Sequence, residues 1–481
     1  MPGAEIFQDA FLFTPTYTLR NLKIDFRVCR VRQVGISLQI CYSVYMKEKK
    51  KMHKNENRRN GKKKRCFGAV AAFAVTLCTV LLTGMAGILI MTLLKGEGTN
   101  AREEQEESQQ QNPTFWEKIP EEEIAIQPVM EAEVQNTRYG HELADAKYME
   151  DNHILAWEGS RTDTVTFGFI GDILFDDEYA IMANLLRRGT TIDNGISQEL
   201  LTKLQGVDVL VANNEFPFTD RGTPTEGKTY TFRADPSTVA YLHDIGVDVA
   251  VLANNHIYDF GETGLFDTLD VLAGAGIMGI GAGRNLKEAS APLYFIVNDM
   301  KIAIVAATQI ERLDNPDTKG AGEESAGVFR CWNPEKLYQV VAQAKENSDF
   351  VIVFIHWGTE NQAEPDWAQL DQAPKLAQAG ADLIIGDHSH CLQGITYFED
   401  TPVIYSLGNF WFNSKTLDTC MVQVTIGQEG LQSFQFIPAI QSDCRVSLAY
   451  GEEKNRILAY MRELSPEVTI DAEGFVSKNT N

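Results

Sequence analysis

One pattern occurs three times in this chain and restricts its folding more than any other feature. A helix end is followed by Gly-x-Asp, then an apolar strand, then a polar cluster. The occurrences are GVDVLVANNE (Gly206 to Glu215), GVDVAVLANNH (Gly246 to His256) and GADLIIGDHSH (Gly380 to His390). In each, residues able to bind a metal arrive 8 to 10 positions after the glycine, just past the carboxyl end of the strand. Open α/β sheets place their sites there.

Two further apolar runs end similarly, at Gly171-Asp172 and at HWGTE, His356 to Glu360. Strands are expected at Val165–Ile170, Asp208–Ala212, Asp248–Ala253, Ile302–Ala306, Phe350–Ile355, Leu383–Ile385, Val403–Ser406 and Met421–Thr425. Several are unbroken Val/Ile/Leu runs, the pattern of strands covered on both faces. Asp235-Pro236 starts an intervening helix that Gly246 ends, and Asn333-Pro334 starts another in the same way. Such alternation makes a layered α/β domain.

The net charge of −23 is unevenly spread. Residues 1–100 hold 17 Lys and Arg against 6 Asp and Glu, whereas residues 101–481 hold 26 against 60. The acidic body does not suit nucleic-acid binding. The eight cysteines form no C-x-x-C pair, which excludes a zinc ribbon; Cys331, Cys391, Cys420 and Cys444 leave one or two disulfides open, and Cys391 is expected to be a buried small residue.

Phe67 to Leu94 is 28 residues without a charge. A bilayer core of ~30 Å needs only about 20 in a helix. Before it, Lys47 to Arg65 carries eleven basic and two acidic residues, which hold that end in the cytoplasm. A cleaved signal peptide is the alternative, but the apolar run is long and no small-x-small site follows it. A single transmembrane anchor, with the acidic body outside the cell, is expected. The organisation expected is a non-native extension (1–45), with the true start at Met46 or Met52, a basic cytoplasmic segment (46–66), the anchor (67–94) and an acidic stalk (95–160). The folded domain (161–440) and a C-terminal extension (441–481) follow.

Taken singly, the strand-end residues have plain explanations. Asp172 caps a turn, Asn255 supplies a left-handed residue, His256 is a loop histidine and Glu215 a solvated acid. His388 and His390 form an H-x-H pair, which in an extended segment puts both rings on one face. Together, three of the chain's eight histidines with Asp, Glu and Asn beside them form a mixed nitrogen and oxygen set suited to Zn, Mn or Fe.

The ordered series GDILFDD (171–177), NNEFPFT (213–219), ANNHIYDFGETG (253–264), HWGTE, GADLIIGDHSHCLQG (380–394) and YSLGNFWF (405–412) resembles CapA/PgsA-type capsule and poly-γ-glutamate synthesis proteins. These are similar in turn to calcineurin-like metallophosphatases. The resemblance covers Thr164 to Ile437 and implies an αββα sandwich holding divalent metal. It makes Asp172, Glu215 (as a bridging carboxylate), Asn255, His356, His388 and His390 ligands, and His256 the acid that protonates a leaving oxygen. Asp259 orients the His256 ring or caps a turn. The phosphatases carry Asp-x-His on the first strand; here Leu174 replaces that histidine, which puts one metal position in doubt.

Arg233, in the loop Lys228–Arg233, Glu360 and Asn409 are further candidates to meet substrate; a surface charge run and a Gly408-Asn409 tight turn are the plain readings. The resemblance implies an anchored extracellular hydrolase or transferase of surface-polymer synthesis. Its partners would be an anionic polymer, membrane-bound synthase subunits and the lipid bilayer. A non-catalytic polymer-binding subunit and a general phosphoesterase are the alternatives.

Overall fold

The aspartates of the Gly-x-Asp pattern clamp parallel strands together. Asp208 accepts the Thr166 N–H at 2.8 Å and returns its own N–H to the Thr166 carbonyl at 3.1 Å. Asp248 does the same with Leu210 (2.8 and 3.0 Å), and Asp382 with Val351 (2.8 Å both ways). Asp349, which lacks the preceding glycine, clamps Lys301 at 2.9 and 2.8 Å. Each clamp fixes the register where a strand begins, so the carboxyl ends also fall in line.

The computed structural model describes residues 137–310 and 318–479. The expected extension, basic segment, anchor and most of the stalk lie outside these residues. Among the described residues no helix is long and apolar enough to cross a membrane.

Two mixed sheets face each other. The first runs Ile154–Ala156, Leu293–Val297, Met300–Thr308, Phe350–His356, Leu383–Asp387, Thr401–Ile404, Ile395–Phe398. The second runs Arg445–Leu448, Gly430–Ser442, Leu417–Gly427, Thr164–Ile173, Val209–Asn214, Val249–Val251, Met278–Ile280, with Asn409–Trp411 added beside Thr164–Ile173. Alternation along the strands makes three apolar layers. Phe167, Val211, Ile304, Phe354 and Ile385 meet between the sheets. Leu210 and Leu252 turn outward against helices Ala180–Arg188, Gln198–Leu204, Ala240–Ile245 and Gly261–Gly274. Val305, Val353 and Ile384 turn the other way against Glu335–Glu346 and Trp367–Ala379. The architecture is therefore αββα, and each of the eight expected strands overlaps one that forms.

Several local expectations change. Gly246 ends its helix in the left-handed conformation (φ 93°), and Asp235 caps the preceding turn through the Ser237 N–H. The second helix instead starts at Glu335, with Pro334 at the N-cap and no side-chain cap. The folded body also runs past both boundaries drawn from composition. Residues 146–151 are helical, and Ile154–Ala156 pairs in parallel with Leu293–Val297. At the other end Gly430–Ser442 crosses position 440, and Ile457, Leu458 and Met461 of helix Gly451–Leu464 enter the inter-sheet core. Cys391, Cys420 and Cys444 are free thiols, Cys331 is buried, and Cys391 is only half-buried.

Candidate metal centre

The strand registers bring the polar ends together. Asp172 lies beside Asn213 on one side and Asn409 on the other, and His356 beside Asp387. Asp172, Glu215, His356 and Asp387 have no solvent exposure, and His388 and Asn255 have almost none.

Two ligand groups form around Glu215. Asp172, Glu215 and His390 make one, Glu215, His356 and His388 the other; within each, the ligand atoms lie within 4.8 Å of one another. In the first, His390 Nδ1 is 3.0 Å from Asp172 Oδ2 and 2.8 Å from Asn409 Oδ1. In the second, His356 Nε2 is 2.9 Å from Asn255 Oδ1, 3.0 Å from His388 Nδ1 and 3.5 Å from Glu215 Oε1. All six expected ligands therefore converge. The H-x-H segment does so differently from the extended form expected. The strand ends at Asp387, and His388 (φ 94°) and His390 (φ 55°) are both left-handed. The turn sends one ring to each group. Non-glycine residues held there cost roughly 1–3 kcal/mol each, a strain that clusters at functional sites.

The donor set fits divalent metal. Both oxygens of Glu215 and both of Asp387 are buried without any hydrogen-bond partner, and buried carboxylates are otherwise paired, protonated or bound to cations. Burial, then the charges of Asp172 and Asp387, pushes the Glu215 carboxyl well above its usual range; burial and Asp172 do the same to Asp387. Burial opposes the ionisation of Asp172 too, but the hydrogen bond and charge of His390 outweigh it and hold that carboxyl low. Burial drives His356 down to about 3 and His388 well below its ordinary value, so both rings are neutral, as metal ligation requires.

Beside the cluster, His256 Nδ1 lies 2.7 Å from Asp259 Oδ2, so Asp259 orients the ring. Asp259 also accepts the Phe232 N–H at 2.7 Å and pairs with Lys228 Nζ at 2.5 Å. Lys228, in the loop expected either to meet an anionic substrate or to be a surface charge run, has a side chain only 5% exposed and also donates to the Asn255 carbonyl. The Phe232 ring stacks on His256 at 4.2 Å, and Phe412 packs against both Phe232 and His390. This aromatic wall joins the histidine dyad to the first ligand group.

Of the other expected residues, Asn409 reaches the cluster and Glu360 acts on it only through its charge, which favours protonated His390. Arg233 does not join it: its guanidinium lies over the Phe260 ring at 4.9 Å, and its backbone N–H goes to Asp176. Leu174 is buried in the helix-facing apolar layer and offers no ligand.

Sequence reasoning missed Asp387, Asn213 and Asn254. Asn213 donates to Asp172 Oδ1 at 2.6 Å. Asn254 donates to Asn213 and to the Asn214 carbonyl, and accepts the His256 and Ile257 N–H groups, bracing the loop that carries the dyad.

The family described as "Bacterial capsule synthesis protein PGA_cap" matches residues 166–414, more than half of the chain. The chain belongs to the PGA_cap family. Every residue of the centre, from Asp172 to Asn409, lies in the PGA_cap range. The PGA biosynthesis protein CapA of Bacillus subtilis is 30% identical over 283 residues, 57% of this chain and 71% of that protein. The capsule biosynthesis protein CapA of Bacillus anthracis is 29% identical over 306 residues, 61% and 72% of the two chains. A probable polyglutamine synthesis accessory protein of Mycobacterium tuberculosis is 32% identical over 209 residues, 42% and 55%. A dimetal phosphatase from Danio rerio overlays 55% of this chain and 96% of its own at 14% identity and a TM-score of 0.32, too slight a likeness to carry an argument.

Proposed function

We propose that this chain is a membrane-anchored, extracellular protein of surface-polymer synthesis whose centre binds divalent cations and cleaves or transfers a bond of an anionic polymer. The relatives' names point to poly-γ-glutamate or a similar capsular polyanion. The observation that carries this reading is the set of four buried carboxylate oxygens on Glu215 and Asp387 that make no hydrogen bond, placed among three imidazoles and beside an oriented His–Asp pair.

Asp172, Glu215 and His390 would hold one cation, and Glu215, Asn255, His356 and His388 a second; mixed nitrogen and oxygen ligation suits Mn, Zn or Fe. Bound there, such ions supply Lewis-acid polarisation and water acidified toward neutral pH. His256 carries the proton for the leaving group. Its Nδ1 is held by Asp259, which leaves Nε2 as the donating atom. Lys228 fixes Asp259 from the other side. The apolar sheets below keep the buried ligands dry, which strengthens every charge interaction in the site. The uncharged run Phe67–Leu94 supports the anchor and the basic stretch before it the orientation. Synthase subunits of the membrane and the bilayer are the partners that follow, and the acidic body argues against nucleic acid.

The body's charge repels a polyanion, though screening limits that repulsion to ~8 Å at physiological salt; bound cations would give the polymer a local positive place to dock. The test is incubation of the purified full chain with poly-γ-glutamate, with and without EDTA, following chain length and binding. The expected result is metal-dependent cleavage or transfer, absent in His256→Ala. Binding that needs metal, with no change in the polymer, supports the second reading, a non-catalytic accessory subunit, which the buried apolar Leu174 favours. Binding and turnover unaffected by EDTA contradict both.

A further inference from the structure

Asp387 is a buried acid without a job in the ligand set above. It continues the inward alternation of Leu383 and Ile385, so it faces the second sheet from the first. It has no solvent exposure, and neither carboxylate oxygen has a hydrogen-bond partner. A ligand oxygen of Asp387 lies within 4.8 Å of a ligand atom of Asp172 and of His356.

Two roles fit such a residue. One is to orient the His356 ring by accepting from Nδ1, as carboxylates behind metal-binding histidines do. The structure gives that nitrogen a different neighbour, the Asn213 side-chain amide at 3.3 Å, and gives Asp387 none. The other role is direct ligation. Two carboxyl groups facing each other in a dry interior need a cation between them or a shared proton.

We propose that Asp387 is a ligand of the cation that Asp172 holds. The proposal rests on the metal-centre reading and adds a residue to it. Asp172 is the residue common to the group with Glu215 and His390 and to the group with Asp387 and His356, so through it Asp387 would join the position of Glu215 and His390. The other draws on Glu215, Asn255, His356 and His388. The two positions differ in hardness, and the oxygen-rich one takes Mn²⁺ in preference to softer ions.

The test uses the full chain, stripped with chelator and titrated with Mn²⁺ alone, reading stoichiometry by elemental analysis and affinity by calorimetry. Asp387→Asn keeps the volume of the side chain; Asp387→Ala removes it; circular dichroism confirms folding of each. The expected result is about two Mn²⁺ per wild-type chain, with one of them lost or weakened roughly tenfold or more in both variants. Wild-type stoichiometry and affinity in both variants mean that Asp172 and Asp387 share a proton, and overturn the proposal alone. A wild-type chain that takes up no Mn²⁺ overturns the metal-centre reading, and this proposal with it.

Discussion

His390 Nδ1 lies 3.0 Å from Asp172 Oδ2, although 218 positions separate the two residues. Asp172 sits near the end of a strand of the second sheet, and His390 in the turn after a strand of the first. The pair closes the sandwich at its functional end. Removing one partner of a buried pair leaves the other uncompensated. His390→Ala should therefore lower the stability of the EDTA-treated chain by about 3 kcal/mol, measured by urea unfolding. An unchanged midpoint contradicts the pairing.

The dyad is open to a cleaner substitution. Burial holds the His256 ring below its ordinary value, and the Asp259 charge opposes that lowering; Asp259→Asn keeps the shape of the side chain but removes this opposing charge. Turnover should fall by roughly 10²–10⁴-fold, the usual worth of general acid catalysis. Metal content should stay at the wild-type level, because neither residue is a ligand. Loss of metal in this variant would show that the dyad shapes the centre instead.

Asp208 gives the pH dependence with the simplest sign. Burial raises its carboxyl, but the bonds from Ser160 and Thr166 outweigh burial and hold it below its ordinary 3.8. A depressed carboxyl contributes stability above its unfolded value and loses it as pH falls through the folded value. Asp208→Asn should be destabilised by about 1 kcal/mol at neutral pH, with the gap to wild type narrowing below 3.8. Melting curves of both proteins across that range check it; a gap that widens in acid contradicts the assignment.

Cation removal should lower the melting temperature, since the buried carboxylate oxygens of Glu215 and Asp387 have no hydrogen-bond partner to replace the ion. A ligand at a hundred times its Kd stabilises by about 2.7 kcal/mol, and restored Mn²⁺ or Zn²⁺ should return that increment. Glu215→Gln, at the shared position, should abolish most of the metal-dependent rise. A melting point insensitive to both chelator and metal contradicts cation binding.

The strand ends were legible because one residue pattern does two jobs there. Asp208, Asp248 and Asp382 set the register at strand starts, and the register delivers the ligands at the ends. The antiparallel edges were less legible. Gly430–Ser442 contains Pro438, which argues against a strand paired on both sides, yet it pairs with Leu417–Gly427 and Arg445–Leu448. Ile154–Ala156 is three residues in an acidic stretch, and only its partner strand makes it one. Asp387 was overshadowed by the histidines after it. Its inward parity with Leu383 and Ile385 was the available signal. The left-handed turn at His388 and His390 left only a weak signal, because histidine is enriched at positive φ among non-glycine residues yet is still uncommon there.

The most direct measurement is the metal content of the purified full chain as isolated, by elemental analysis, beside His388→Ala prepared in parallel. The expected result is about two transition-metal ions per wild-type chain and a clear loss in the variant. A wild-type content equal to the buffer blank, or one that His388→Ala leaves unchanged, contradicts the metal centre.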